Sequence, residues 1–324
     1  MKKIIISALL IAALTGCQET IENIVVRLDK TELELLVGFQ TTITAIVAPY
    51  QTIIWSSDTP SVATVDQEGN VAAIAAGTAN ITAEAGGVTS TCVVKVFAFG
   101  VADTDYIDEY GVNHGKGVVI GRSVWAPVDC GYHQTDFPYG KHYQWGRKYG
   151  QGLGKPYDSF EVTYVKAPVD LEMGQNKYLD TEFYSGEGEW ANVSDGQRDK
   201  LWNSGSESSP VKSAYDPCPD GWRVPIIREL YDLAANHSGL ITLDSGIKGM
   251  YFSGICEYSE TAKHIFLSAS GIRNYNGSLF YMDSGFYWSS FLNSYGVALC
   301  FHDHIAGVSE NSPACGCSVR CVQE

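Results

Sequence analysis

Three hydrophobic patterns follow one another along the chain. Ile4 to Leu14, broken only by Ser7, is an apolar run without period behind Lys2 and Lys3. It is too short to cross a bilayer and has the layout of an export signal. From Ile24 onward apolar and polar residues alternate in short stretches: Thr41 to Val47, with Ile43, Ala45 and Val47 on one face, then Ile53 to Trp55, Ala63 to Val65, Val71 to Ile74, Ala79 to Ala83 and Thr91 to Val96. Gly69-Asn70, Gly77 and Gly86-Gly87 stand at the breaks, where tight connections need positive φ. Period two with breaks every 8 to 12 residues or so predicts an all-β Ig-like sandwich. After Phe97 the alternation stops and Gly, aromatic residues and His rise in density. One helix is predicted there, opening near Pro225 and carrying Ile226, Leu230 and Leu233 on one face, with Gly239 beyond its end. The other apolar segments, such as Val118 to Ile120, Ile265 to Leu267 and Val297 to Phe301, are short and bounded by Gly, Asn and Ser. This second pattern predicts an α+β domain with much loop.

Length and charge sharpen this division. At roughly 100 to 200 residues per domain, 324 residues make two or three domains. The segments expected are 1–16 signal peptide, 17–22 tether, 23–97 Ig-like domain, 98–114 linker and 115–324 larger domain. The linker holds the acidic tract Asp103 to Glu109, which lacks the Gly and Glu that a calcium-binding EF-hand loop requires. With 22 Lys and Arg against 37 Asp and Glu the net charge is −15, and no stretch concentrates cations. Nucleic acid is therefore excluded as a partner, because phosphate neutralisation needs clustered positive charge.

The tetrad Leu14-Thr15-Gly16-Cys17 directly after the apolar run resembles the lipobox of bacterial lipoproteins. That resemblance implies cleavage before Cys17, acylation of Cys17, and attachment to the membrane through the lipid. Glu19 and Glu22 just behind it resemble the export tether of Bacteroidetes surface lipoproteins, which implies an outer-membrane lipoprotein exposed at the surface. An exported chain meets oxidising conditions, so the eight further cysteines, 92, 130, 218, 256, 300, 315, 317 and 321, are candidates for disulfides. Eight cysteines allow 105 pairings in principle, and spacing alone selects none of them. Cys92, within an apolar strand, is expected to be a buried thiol.

Two family resemblances follow from longer motifs. Leu28-Asp29-Lys30-Thr31, Trp55-Ser56-Ser57, Ser61-Val62-Ala63-Thr64-Val65-Asp66, Gly69-Asn70-Val71 and Gly77-Thr78-Ala79-Asn80-Ile81-Thr82 resemble the bacterial Ig-like group 2 domain. This implies a stalk of the kind found in surface proteins, with Trp55 in its core. Tyr143-Gln144-Trp145-Gly146, the run from Asp216 to Pro225, Ser268-Ala269-Ser270-Gly271, Gly285-Phe286-Tyr287-Trp288-Ser289-Ser290 and Gly316-Cys317-Ser318-Val319-Arg320-Cys321-Val322 resemble the Fibrobacter succinogenes major paralogous domain. The resemblance implies a C-type-lectin-like fold for 115–324 and a bridge between Cys218 and Cys321. Ser268-Ala269-Ser270 and Cys130, Cys256, Cys300, Cys315 and Cys317 depart from that pattern. Trp222 and Trp288 are expected in the core, with their indole N–H groups partnered. Arg223 and Arg320 are expected to bond carboxylates or carbonyls.

Little in the chain points to catalysis. There is no Gly-x-Ser-x-Gly elbow, His-Glu-x-x-His helix or phosphate loop. Formylglycine-generating enzymes share the lectin-like scaffold, so an enzyme stands as the alternative, with a structural pilus or surface subunit beside it. No cofactor and no metal are expected: His302 and His304 have no third ligand nearby in sequence, and Cys315-Gly316-Cys317 is too tight for a bridge of its own. The expected function is adhesion or binding of a glycan or surface protein. The candidate ligand residues are Arg273, Tyr275, Asn276, Tyr281 and Asp283, in a loop where aromatic faces alternate with hydrogen-bonding groups.

Overall fold

The computed structural model describes residues 23–152, 163–175, 182–186, 188–194, 196–254 and 263–324. The export signal, Cys17 and Cys256 lie outside the described residues. The chain divides into two compact units, one ending at Phe97 and one running from Ala98 to Glu324.

The first unit consists of strands β1 (Val25–Leu28), β2 (Glu32–Leu36), β3 (Gln40–Thr42), β4 (Ala45–Ala48), β5 (Ile54–Ser57), β6 (Ala63–Val65), β7 (Asn70–Ala73), β8 (Gly77–Ala85) and β9 (Val88–Phe97). They form a four-stranded sheet in the order β2-β9-β8-β5, a three-stranded sheet β3-β7-β6 and the pair β1-β4. In β8 the alternation is read directly: Ala79, Ile81, Ala83 and Ala85 are buried while Asn80 and Glu84 face out. Small Ala residues there leave room for the Trp55 indole, which lies opposite Ala83. Gly69, at φ +83°, is required by the same packing, since a Cβ would fall 2.4 Å from the Ile43 carbonyl oxygen and 3.1 Å from the Trp55 ring.

The stretch Thr41 to Val47, expected as one strand, is two. The chain changes partners at Ile43, whose N–H bonds the Gly69 carbonyl, so β3 pairs with β7 and β4 with β1. Asp29 fixes the corner by accepting from the Thr44 N–H at 2.8 Å while its own N–H bonds the Thr44 carbonyl. Cys92 is a buried free thiol, and burial raises its pKa.

The second unit is built mainly of short strands. Its longest are Ser284–Leu292, Gly296–His302 and Ile305–Asn311, an antiparallel meander. The C-terminal strand Val322–Gln323 lies between Ser123–Trp125 and Trp222–Arg223. The one helix of two turns among the described residues is Ile227–Ala234, with Glu229, Leu230 and Leu233 buried. Glu229 sets its start by accepting from the Ile226 N–H at 2.9 Å and holding Arg223 through two oxygens, each at 2.8 Å.

Two apolar clusters fill this unit. One gathers Trp145, Trp190, Trp202, Trp222 and Trp288, and the other surrounds Trp125, Phe252, Tyr287 and Phe301. With so few helices, large rings do the filling, and most of their N–H groups find carbonyls. Trp145 donates to Ser289, Trp190 to Trp145, Trp222 to Asp105 and Trp288 to Tyr143.

Candidate functional site

In the second unit a cavity of about 710 Å³ opens among three separate segments: Pro127 to Tyr139, Leu243 to Ile247, and Phe266 with Ser268. Its size falls within the roughly 300 to 1,000 Å³ usual for small-ligand sites. Pro127, Pro138, Tyr132 and Phe266 supply flat apolar wall, and Gln134 and Ser245 are exposed polar groups at its margin. Tyr132 is braced edge-on by His114, the ring centroids 5.7 Å apart. His114 is itself held by Asp108, with Nε2 and Oδ2 at 2.7 Å.

The floor of the cavity carries a closed polar network. Arg320 Nε donates to Asp129 Oδ1 at 2.8 Å, and the other guanidinium nitrogens donate to the carbonyls of Ala126 at 3.0 Å and Phe266 at 2.8 Å. The second Asp129 oxygen accepts from Ser268 at 3.1 Å and from Tyr287 at 3.0 Å. Asp129 and Arg320 are 6% and 3% exposed, so their pairing and these extra bonds are what make their burial tolerable. Both Asp129 oxygens are engaged by groups of the protein itself. Arg223 and Arg320 thus each bond a carboxylate and a carbonyl, as their place in the sequence motif suggested.

The five ligand candidates of the loop do not share one face. Arg273 is buried: it belongs to the strand Ile272–Arg273, which pairs with Leu279–Phe280 and with Gly316. Its guanidinium donates to the Gly277 carbonyl at 2.9 Å and lies over the Phe183 ring. Tyr275 is half-buried and packs on the tryptophan-rich cluster. Asn276 is exposed and turns back to accept from the Ser278 N–H. Tyr281, at φ 54°, is 70% exposed, and Asp283 pairs with Lys248 at 2.5 Å. The alternation in sequence therefore sends Arg273 and Tyr275 inward and only Asn276, Tyr281 and Asp283 to the surface.

The cavity itself was hidden from sequence reasoning, since the wall from Pro127 to Tyr139 lies more than a hundred residues from the segments that face it. His302 and His304 are exposed and share no third ligand; among the described residues the one group of three convergent metal-capable side chains is Cys130, Cys218 and Cys321. Cys218 and Cys321 are joined by a disulfide, with Cα atoms 5.9 Å apart. Cys130, Cys300, Cys315 and Cys317 are free thiols, and burial pushes Cys315 up to about 11.

Comparison with known proteins places the two ends of the N-terminal part. Residues 1–18 match the prokaryotic membrane lipoprotein lipid attachment site, and residues 25–96 match the bacterial Ig-like domain (group 2). No curated protein matches the chain. Among solved structures, similar chains include surface layer protein SbsC, domains 1-6, at 20% identity over 28% of this chain and 17% of that one, with a TM-score of 0.22. A bacterial Ig-like domain-containing GH10 xylanase from termite gut aligns at 26% identity over 23% of this chain and 20% of that one, TM-score 0.18. An EHEC O157:H7 intimin mutant aligns at 21% identity over 26% and 53%, TM-score 0.21. The chain thus spans about a sixth of the SbsC chain it resembles. The protein is a membrane-anchored lipoprotein of the cell envelope, and its first unit is a group 2 bacterial Ig-like domain. Among the described residues no helix is long and apolar enough to cross a membrane.

Proposed function

We propose that this lipoprotein is a surface-exposed binding protein, in which the Ig-like unit serves as a spacer and the second unit, read as a lectin-like Fibrobacter-paralogous domain, captures a neutral glycan. The observation that carries the reading is the cavity of about 710 Å³ beside Tyr132 and Phe266. Flat apolar walls with hydroxyl and amide groups at the margin suit a sugar ring, whose faces are apolar and whose edge is polar. A net charge of −15 disfavours anionic ligands. Asp129, with both oxygens bonded to Arg320, Ser268 and Tyr287, serves in this reading as a support for the cavity floor.

The test is a glycan and surface-protein array probed with the chain from residue 18 onward. Tyr132→Ala combined with Gln134→Ala is expected to weaken a bound neutral glycan about tenfold or more, with the melting temperature held within a few degrees. Loss of binding in Tyr281→Ala, with the cavity variant unaffected, would transfer the site to the exposed loop. Binding confined to charged proteins would sink the glycan reading.

Anchoring is tested separately. Cys17→Ser removes the thiol that takes the lipid, and since acyl chains contribute about 0.8 kcal/mol per buried methylene, most of the protein should move from the membrane pellet to the soluble fraction. Retention of the variant in washed membranes would refute lipid attachment at Cys17.

A further inference from the structure

Beside the bridge of the second unit stands a third sulfur. The Sγ atoms of Cys130, Cys218 and Cys321 all lie within 4.8 Å of one another, and Cys130 is a free thiol. Two observations show that this thiol sits in built surroundings. The Tyr143 hydroxyl donates to Cys130 Sγ at 3.2 Å, and Cys130 Sγ donates to the carbonyl of Pro217, next to Cys218, at 3.4 Å. The Tyr106 hydroxyl lies 3.9 Å from Cys321 Sγ. Cys130 also borders a cavity of about 160 Å³, lined by Tyr106, Glu109, Tyr143 and Lys148 among others, which is room for a few waters at about 30 Å³ each.

We propose that these three cysteines form an intramolecular disulfide-exchange site, in which Cys130 attacks Cys218 and displaces Cys321. The Cys130 thiolate forms a new bond to Cys218 Sγ, the bond between Cys218 and Cys321 breaks, and Cys321 leaves as the thiolate. The proton lost by Cys130 to water is regained at Cys321, so no external oxidant or reductant is consumed. The two tyrosines match the two ends of this step: Tyr143 hydrogen-bonds the attacking sulfur and Tyr106 stands at the leaving one. Cys130 is held beside Cys218 by its bond to the carbonyl of the preceding residue, and because sulfurs that all lie within 4.8 Å form a triangle rather than a line, the step includes a rotation of the Cys130 side chain that aligns its sulfur with the bond it breaks.

The product differs from the starting fold in one respect. Cys321 precedes the strand Val322–Gln323, which pairs with both Ser123–Trp125 and Trp222–Arg223. Exchange keeps the Cys218 segment covalently closed and frees the C-terminal strand from its tether. The rate is set by thiolate formation. Burial pushes the Cys130 thiol up to about 12, with Glu109 and Asp216 acting in the same direction and Tyr143 and Lys212 against it. The step is therefore held back near neutral pH and should accelerate about tenfold per pH unit below that value.

The experiment uses the full chain, natively folded and without oxygen, held at about pH 7 and about pH 9.5, quenched with acid and maleimide, then mapped without reduction. The expected result is a peptide linked through Cys130 and Cys218, with maleimide on Cys321, forming at least a hundredfold faster at the higher pH. Its rate should not depend on protein concentration, and the circular dichroism should stay native. Cys130→Ser should retain the Cys218–Cys321 peptide at both values. The proposal is overturned if Cys130 alone of the three carries maleimide after prolonged incubation at about pH 9.5. Exchange that needs denaturant, or a Cys130–Cys321 product, equally overturns it.

Discussion

Replacing Cys218 and Cys321 together by Ser, in a Cys130→Ser background so that no third thiol can substitute, is expected to cost the second unit about 4 to 5 kcal/mol. The bridge spans 103 residues, and closing a loop of that length removes a large share of the unfolded chain's freedom. Native contacts cannot easily replace it, because the C-terminal strand it anchors has two residues and only a few ladder bonds. Six of the seven tryptophans, all but Trp55, lie in the second unit, so tryptophan fluorescence in urea reports mainly on that unit. The fluorescence midpoint should fall sharply relative to Cys130→Ser, while the Ig-like unit, which has no part in the bridge, keeps its own transition. An unchanged midpoint would mean that the bridge restrains nothing the strands do not already hold.

How much of this was legible in the sequence depends on how local each determinant is. The strands of the Ig-like unit were readable because each buries one face, so the alternation Ala79, Ile81, Ala83 is the packing itself. The division of Thr41 to Val47 was not, because the change of partner at Ile43 depends on Asp29 and Gly69, which are remote in sequence. The helix was readable from Pro225, Leu230 and Leu233, although the residue that sets its start, Glu229, acts by accepting from the Ile226 N–H rather than through an N-cap side chain. In the larger unit the polar floor joins Asp129 to Arg320 across 191 positions, and no periodicity reports such a pair. The inward turn of Arg273 in the loop up to Asp283 was hidden for a related reason. A two-residue strand pairing with Gly316 turns Arg273 inward, and the pattern of residue types is blind to that pairing.

Acid stability should depend on His142. This imidazole is fully buried, its Nε2 lies 3.1 Å from the Ser270 hydroxyl, and its Nδ1 has no hydrogen-bond partner. Burial first, and the Arg273 guanidinium second, push its pKa from 6.5 down to about 3. Between these values the unfolded chain binds a proton that the folded chain refuses. The contribution of His142 is thus fully present above pH 6.5 and is lost as pH falls towards about 3. The slope is about 1.4 kcal/mol per pH unit, or as much as about 5 kcal/mol over the whole window. Asp216 works in the opposite sense: burial raises its carboxyl from 3.8 to about 6, so its contribution is present below 3.8 and is lost as pH rises through about 6. The two effects largely offset each other between about pH 4 and 6, which hides His142 in the profile of the natural protein. His142→Gln, which does not titrate, removes the mask. Urea midpoints for the variant and the natural chain at about pH 7 and pH 4 should differ by amounts that shift about 3 kcal/mol in the variant's favour on acidification. Whatever the substitution costs at neutral pH cancels in that difference, so parallel stability profiles would show that His142 takes up its proton in the folded state as readily as in the unfolded chain.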